Sequence, residues 1–132
     1  YFKKINDTLG HDFGDFVLKK VADLLKENLR GYDAIVRYGG EEFFVLLPGA
    51  DTTNAENVAQ KIREKIKNYS FEKDSKQVNL TISVGVFGLP ANHLSDDIDQ
   101  YIKNADDALY KAKNEGRDKV VVFMGAFWKY EW

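Results

Sequence analysis

The chain has 132 residues, enough for one domain with a hydrophobic core. With 44% hydrophobic and 30% charged residues it has the composition of an ordinary globular domain, and its net charge of −2 excludes a global basic field that would hold nucleic acid or an anionic membrane surface. Cysteine is absent, which excludes disulfides and thiolate metal sites and fits a reducing compartment, and the longest apolar run, Val120 to Trp128, is too short at nine residues to span a bilayer.

The first half of the chain is predicted to form a helix followed by a hairpin. Residues 13–30 predict an amphipathic helix with Asp12 as its N-cap. The apolar residues at helical spacing that form its buried face are Val17, Val21, Leu25 and Leu29. Two β-rich arms, Ile35 to Tyr38 and Phe43 to Leu47, flank a pair of glycines and predict a strand, a tight turn and a second strand.

The second half is predicted to alternate between helices and strands. A helix over residues 53–69 begins at the capping-box pair Thr53 and Glu56, and its buried stripe contains Val58, Ile62 and Ile66. Residues 77–89 predict one strand, residues 95–116 a third helix that ends at Gly116, and residues 118–123 a last strand. This order predicts an α+β fold with a mostly antiparallel sheet. A helix as the first element further predicts an opening strand upstream of Tyr1, in a longer chain.

The turn between the two arms combines flexible backbone with adjacent carboxylates. Gly39 and Gly40 permit a sharp turn and a close approach of a ligand, and Glu41 and Glu42 follow directly. Two neighbouring carboxylates repel each other unless a cation lies near them. Taken alone, the stretch is compatible with a solvated hairpin tip or with a metal and phosphate site.

Four motifs in register resemble the GGDEF domain family of diguanylate cyclases. They are FKKINDTLGHDFGD, RYGGEEF, TISVGV and ADDALYKAKNEGR, and the resemblance covers residues 1–123. It implies a five-stranded sheet flanked by helices, similar to adenylyl cyclase and polymerase palm domains. It also implies a bacterial domain that condenses two GTP into cyclic di-GMP as a homodimer and follows an N-terminal sensory or regulatory domain. The domain itself is expected in the cytoplasm, whether or not the full-length protein is anchored in a membrane.

For this reaction the resemblance assigns the turn to metal binding and catalysis. A 3′-hydroxyl attacks an α-phosphate and expels pyrophosphate, so charge grows on phosphoryl oxygens that Mg²⁺ or Mn²⁺ stabilises. Glu41 is implied as a metal ligand that also activates the hydroxyl, Glu42 supports the metal site, and Gly39 and Gly40 leave room for the nucleotide. The other metal aspartate of the family lies on the opening strand, before Tyr1.

Asn6, His11 and Asp15 resemble the residues that contact the guanine base and substrate in the family. A carboxylate accepts two hydrogen bonds from the N1–H and N2–H₂ edge of guanine, and an amide both donates and accepts. Adenine has no N1–H donor, so Asp15 predicts discrimination against ATP. The structural alternative is a turn at Asn6-Asp7 and an acid at Asp15 that favours the N-terminus of the helix.

Lys113 and Arg117 lie on either side of the predicted end of the third helix and match the phosphate-binding Lys and Arg of the family. Lys3 and the backbone of Tyr1 and Phe2 resemble the loop that wraps the phosphates. The structural alternative for the first pair is stabilisation of a helix C-terminus by cations, which needs no ligand.

The segment Arg30 to Asp33 resembles the RxxD site at which the product inhibits members of the family. A guanidinium binds a guanine edge or a phosphate through two hydrogen bonds, which suits a dimeric dinucleotide. Lys61 stands where some members have a second Arg, and this departure predicts weaker inhibition. The structural alternative is a helix-terminal Arg beside an Asp that leads into a strand.

Two functional classes remain after the motifs are placed. The first is an active diguanylate cyclase spanning residues 1–123, followed by a tail over residues 124–132 whose role the sequence does not indicate. The second is a catalytically silent GGDEF domain that binds GTP or cyclic di-GMP for an attached domain. The intact GGEEF turn favours the enzyme, since a receptor that has lost catalysis usually loses such residues as well.

Overall fold

The computed structural model describes residues 2–37, 42–88 and 98–122. In these residues the hydrophobic pattern of the sequence corresponds to ten helices and strands. In chain order they are α1 (Phe2–Leu9), α2 (His11–Glu27), β1 (Ala34–Arg37), β2 (Phe43–Leu46), α3 (Thr52–Lys67), β3 (Phe71–Lys73), β4 (Lys76–Val78), β5 (Val84–Val86), α4 (Ile98–Asn114) and β6 (Val120–Val122). The predicted α+β class is confirmed, as are the three predicted helices, the hairpin and the last strand, while the predicted ends at residues 38, 95 and 123 lie outside the described residues.

The chain divides into two compact units, each with its own core. Unit 1 comprises Tyr1–Pro48 and Lys65–Leu80, and unit 2 comprises Gly49–Glu64 and Thr81–Trp132. The most deeply buried side chains of unit 1 are Val17, Ile66 and Phe71. In unit 2 the small residues Ala108 and Ala112 of α4 are fully buried, and β5 and β6 pack against this helix.

The apolar stripes predicted for α2 and α3 are largely the buried faces of those helices. Val17, Val21 and Leu25 of α2 are buried, as are Ile62 and Ile66 of α3. Val58 is half-buried, and so is Leu29, which lies beyond the end of α2 at Glu27. Apolar residues at helical spacing share one face only as far as the helix continues. Leu29 is therefore less buried than the other predicted residues of the α2 face.

Both predicted helix starts are wrong by one or two residues. The N-cap of α2 is Gly10, whose φ of 92° breaks the helical path, and Asp12 lies inside the first turn. The N-cap of α3 is Asp51, whose carboxylate accepts a hydrogen bond from the backbone N–H of Asn54 at 2.7 Å, so Thr53 is not the cap. Asp is a stronger N-cap than Thr and precedes it in the chain, which explains the difference.

Within residues 2–37, 42–88 and 98–122 the strands form three two-stranded sheets, and the five-stranded sheet implied by the resemblance is not confirmed. Among the described residues β1 pairs with β2 and β3 with β4, both antiparallel, and β5 pairs with β6 in parallel. The single strand predicted over residues 77–89 is therefore wrong. Its first part belongs to β4, which pairs locally with β3 through a turn at Asp74 and Ser75, both with positive φ. Its later part belongs to β5, which pairs with the distant β6.

Some expectations concern residues outside the described ranges. Gly39, Gly40 and Glu41 of the GGEEF sequence, called the signature turn, and the tail over residues 124–132 are among them, so the predicted domain boundary at residue 123 stays a prediction. Within the described ranges, no helix is both long and apolar enough to cross a membrane.

Candidate active site

The residues predicted to contact guanine lie on two consecutive helices of unit 1 that pack against each other. Asn6 is on α1, and His11 and Asp15 are exposed on the first turns of α2. Gly10 joins the helices, and its N–H donates to the carbonyl oxygen of Asn6 at 2.9 Å. The alternative of a turn at Asn6-Asp7 is wrong, because both residues are helical.

The side-chain oxygen of Asn6 is a buried acceptor without a hydrogen-bond donor among the described residues. Buried polar atoms in folded proteins nearly always have a partner, and an exception calls for an explanation such as a ligand or a water molecule. The amide of Asn6 therefore keeps a hydrogen-bonding capacity that the fold itself does not use.

Asp15 lines a groove of about 500 Å³ between α2 and the β1–β2 hairpin. Leu18 and Phe43 supply apolar surface on its two sides, and Lys19, Lys26 and Arg37 supply cationic groups. One carboxylate on a groove that is otherwise cationic and apolar suits a ligand with an aromatic base and negative charge. Composition gives no signal for this groove, because its charges come from elements that meet only in the folded unit.

The expected phosphate-wrapping loop at the start of the chain is instead part of a helix. α1 begins at Phe2, so the backbone of Phe2 and Lys3 is helical. Ile5 and Leu9, four residues apart, are both half-buried on this helix. Apolar residues at this spacing favour a helix over a loop, a pattern that could have indicated α1 from the sequence. The predicted phosphate contact of Lys3 stays a prediction.

The GGEEF sequence begins between the paired strands β1 and β2, whose ladder places Arg37 opposite Phe43. Glu42 is half-buried at the entrance to β2, whereas Gly39, Gly40 and Glu41 lie outside the described residues. No group of three or more Asp, Glu or His side chains converges in the described ranges, a finding that leaves the predicted pair of glutamates untested.

Lys113 and Arg117 lie close to each other in sequence at the C-terminus of α4, in unit 2. Lys113 is half-buried in the last turn, and Arg117 is exposed just beyond the helix. The helix ends in a Schellman-type cap: Gly116 has a φ of 109°, and the N–H of Arg117 donates to the carbonyl of Ala112 at 2.9 Å. The predicted stop at Gly116 is confirmed.

An ion pair that links the turn after α4 to α3 was not predicted from the sequence. Arg63 of α3 donates from Nη1 to Oδ1 of Asp118 at 2.7 Å, and the two side chains are only 17% and 26% exposed. Both residues belong to unit 2. They lie 55 positions apart, so no local pattern in the chain indicates their contact.

Arg30 and Asp33 of the RxxD segment bind each other. Asp33 accepts from Nη2 of Arg30 at 2.8 Å and from its backbone N–H at 2.7 Å, and Nη2 of Arg30 also donates to the carbonyl of Pro48 at 3.2 Å. The guanidinium carbon lies 4.4 Å from the centre of the Tyr32 ring. Hydrogen bonds from Arg30 lower the pKa of Asp33, and the same bonds raise the pKa of Arg30.

This pairing leaves the two side chains in different environments. The Arg30 side chain is 44% exposed and the Asp33 side chain 2% exposed. A ligand can therefore reach the guanidinium more readily than the carboxylate. Lys61, the third residue predicted for the inhibitory site, is exposed on α3, and its role there stays a prediction.

Comparison with known proteins places these features in one family. The pattern described as "Diguanylate cyclase, GGDEF domain" matches residues 1–119. Diguanylate cyclase A of Treponema denticola is 41% identical over 122 residues, which are 92% of this chain and 32% of that protein. The chain thus spans about a third of the length of this curated relative.

Solved structures give the same result. A structure described as the active GGEEF domain of a diguanylate cyclase from Vibrio cholerae has a TM-score of 0.82 at 34% identity and covers 95% of this chain and 78% of its own. The GGDEF domain of DgcB from Caulobacter crescentus, solved in complex with c-di-GMP, has a TM-score of 0.84 at 27% identity, covering 94% of this chain and 72% of its own. The match over residues 1–119, the retained GGEEF turn and the shared fold show that this chain belongs to the diguanylate cyclase GGDEF domain family.

Proposed function

We propose that this domain condenses two GTP molecules into cyclic di-GMP and two pyrophosphates. The observation that carries the proposal is the position of Asp15 on a nucleotide-sized groove in a chain of this family that keeps the GGEEF turn. Named diguanylate cyclases at about 40% identity support the same activity.

In the proposed reaction the 3′-oxygen of one GTP forms a bond to the α-phosphorus of a second GTP. The bond between that phosphorus and the bridging oxygen of the β-phosphate breaks, and pyrophosphate leaves with the electron pair. A second, equivalent step closes the ring. Because each nucleotide is both attacker and target, two copies of the domain must bring their substrates together, and we propose a homodimer as the reacting species.

The donors at the signature turn fit a hard divalent cation. Glu41 and Glu42 are adjacent carboxylates, Glu42 at the hairpin end where β1 and β2 meet, and Mg²⁺ or Mn²⁺ prefers such oxygen ligands together with phosphate oxygens. When bound, such an ion supplies charge stabilisation for the phosphoryl oxygens. The role proposed for Glu41 within the chain is to accept the proton of the attacking 3′-hydroxyl.

The remaining residues are proposed to bind and orient GTP. Asp15 accepts hydrogen bonds from N1–H and N2–H₂ of guanine, and Asn6 uses the acceptor that the fold leaves unpaired, while His11 gives a further contact. Lys113 and Arg117 are proposed to bind the β- and γ-phosphates, since ammonium and guanidinium groups form charge-assisted hydrogen bonds to phosphate oxygens.

Base selection tests this function directly. With equal GTP and ATP, we expect cyclic di-GMP as the single major product. Asp15→Ser should reduce the preference for GTP over ATP by roughly tenfold to a hundredfold, because adenine presents a lone pair where guanine presents N1–H. The measurement is a competition assay with products resolved by mass. Asp12→Ser, a change of the same kind at an exposed position of the same turn, is the matched control and should leave the preference unchanged.

The competition assay also separates the proposal from its alternative. A mixed GMP–AMP product from the unmutated protein would show that Asp15 does not select the base. Binding of cyclic di-GMP without formation of any dinucleotide would favour the silent receptor.

We further propose that Arg30 and Asp33 bind the product. Replacing both residues by Ala should abolish cyclic di-GMP binding in calorimetry and relieve product inhibition, with initial rates within about twofold of normal because neither residue is proposed to contact GTP. The double variant is preferred because Arg30→Ala alone would leave the shielded Asp33 carboxylate without its guanidinium. Lys65→Ala, which removes an exposed cation of α3, is the control. Unchanged product binding by the double variant would rule out the site.

A further inference from the structure

The turn that presents Arg117 has an unusual backbone. Gly116, Arg117 and Asp118 have φ angles of 109°, 63° and 47°, so three consecutive residues are left-handed. Glycine adopts this region freely, but Arg and Asp do so only at a cost. Such conformations persist where surrounding contacts hold them, and they concentrate at functional sites.

Backbone hydrogen bonds hold the two ends of this turn. The N–H of Arg117 donates to the carbonyl of Ala112, and the carbonyl of Lys119 accepts from the N–H of Val84 at the start of β5, both at 2.9 Å. These bonds attach the turn to α4 on one side and to the β5–β6 sheet on the other. They do not by themselves specify left-handed φ angles at Arg117 and Asp118.

Asp118 provides the additional contact, through Arg63. The Arg63 guanidinium is itself oriented, because its Nε donates to Oε1 of Gln60 on the same helix at 3.1 Å, while Nη1 binds Asp118 at 2.7 Å. With both side chains mostly shielded from solvent, this pair is screened less than a surface ion pair. Asp118 is thereby held toward α3, while its neighbour Arg117 stays exposed.

We propose that the Arg63–Asp118 ion pair positions Arg117 for binding the phosphates of the nucleotide. The inference rests on the proposed function, in which Arg117 is a phosphate ligand. Arg63 and Asp118 are positioning residues in this scheme: they fix the left-handed turn, and the turn fixes the point from which the Arg117 side chain extends. Without the ion pair the turn would sample other conformations. Binding of the phosphates would then have to order the turn, and this cost would weaken the affinity.

The test compares ligands with and without phosphates. In calorimetric titrations of the chain with an α,β-methylene analogue of GTP, which cannot react, Arg63→Gln should weaken binding by about tenfold, whereas guanosine should bind within about twofold of normal. Arg63→Gln leaves the turn residues themselves unchanged. Asp118→Asn, which loses the charge but keeps an acceptor oxygen and tolerates left-handed backbone, should weaken binding of the analogue by less than Arg63→Gln does.

Two controls give the test its specificity. Asp107→Asn breaks an exposed ion pair of α4, with Lys103 at 3.7 Å, and should change neither affinity. In an Arg117→Ala background, Arg63→Gln should cause no further loss, because the pair acts through Arg117. If circular dichroism shows that Arg63→Gln does not fold, Arg63→Lys is used in its place, with a smaller expected loss of affinity for the GTP analogue.

The outcomes separate this inference from the proposed function. An analogue affinity unchanged in Arg63→Gln, an equal loss for guanosine, or a further loss in the Arg117→Ala background would each overturn the positioning role. An unmutated chain that binds neither ligand would instead overturn the proposed function, and this inference with it.

Discussion

Glu41→Gln is expected to abolish cyclic di-GMP formation while leaving the fold intact. The residue follows the glycine pair of the GGEEF sequence, and the role proposed for its carboxylate is electrostatic and does not involve packing. Gln has the same shape, but it cannot take the proton of the 3′-hydroxyl and is a poorer ligand for a divalent cation. Loss of one such group in a phosphoryl-transfer site costs at least about a hundredfold in rate.

The experiment measures dinucleotide formation in an active form of the protein, with circular dichroism and thermal melting as checks on the fold. Glu72→Gln is the matched control, because Glu72 is an exposed glutamate of β3 outside the proposed site. Activity of Glu41→Gln within a few-fold of normal would contradict the metal and base roles. A lowered melting temperature would show that Glu41 contributes to the fold.

Gly85→Ala is expected to cause the largest loss of stability. Gly85 is the central residue of β5, and a Cβ there would overlap the backbone carbonyl oxygen of Ala105 and the backbone nitrogen of Leu109, and would lie 2.9 Å from the Leu109 Cα. These are main-chain atoms of α4, so no side-chain rotation relieves the clash. Separating the strand from the helix costs about 3 kcal/mol, the upper part of the range for overpacking.

In thermal unfolding this cost lowers the melting temperature by about 10 °C. Gly31→Ala is the control, because nothing lies within 4 Å of a Cβ built at Gly31, and it should change the free energy of unfolding by less than about 0.5 kcal/mol. An unchanged melting temperature in Gly85→Ala would mean that β5 and α4 are not in backbone contact.

Residue patterns in the chain predicted the family, the helices α2, α3 and α4 and the hairpin, whereas α1 was not predicted. Apolar residues at helical spacing place α2, α3 and α4, since a helix of this length needs one continuous buried face. The glycine pair between two β-rich arms places β1 and β2. Four motifs that occur in order and at the family's spacing identify the GGDEF family, which matches residues 1–119.

Contacts between residues far apart in the chain depend on how the elements pack. The division of residues 77–89 between β4 and β5 depends on which strands they meet, and an alternating pattern is the same for either partner. The ion pair of Arg63 and Asp118 needs α3 and the end of α4 to pack in one unit. The RxxD spacing could be recognised in the sequence. The shielding of Asp33 from solvent and its pairing with Arg30 could not, because they depend on the local fold that also brings Arg30 to the Pro48 carbonyl and the Tyr32 ring. Local patterns specify which residues can form an element, and burial and pairing depend on neighbours that the chain order does not reveal.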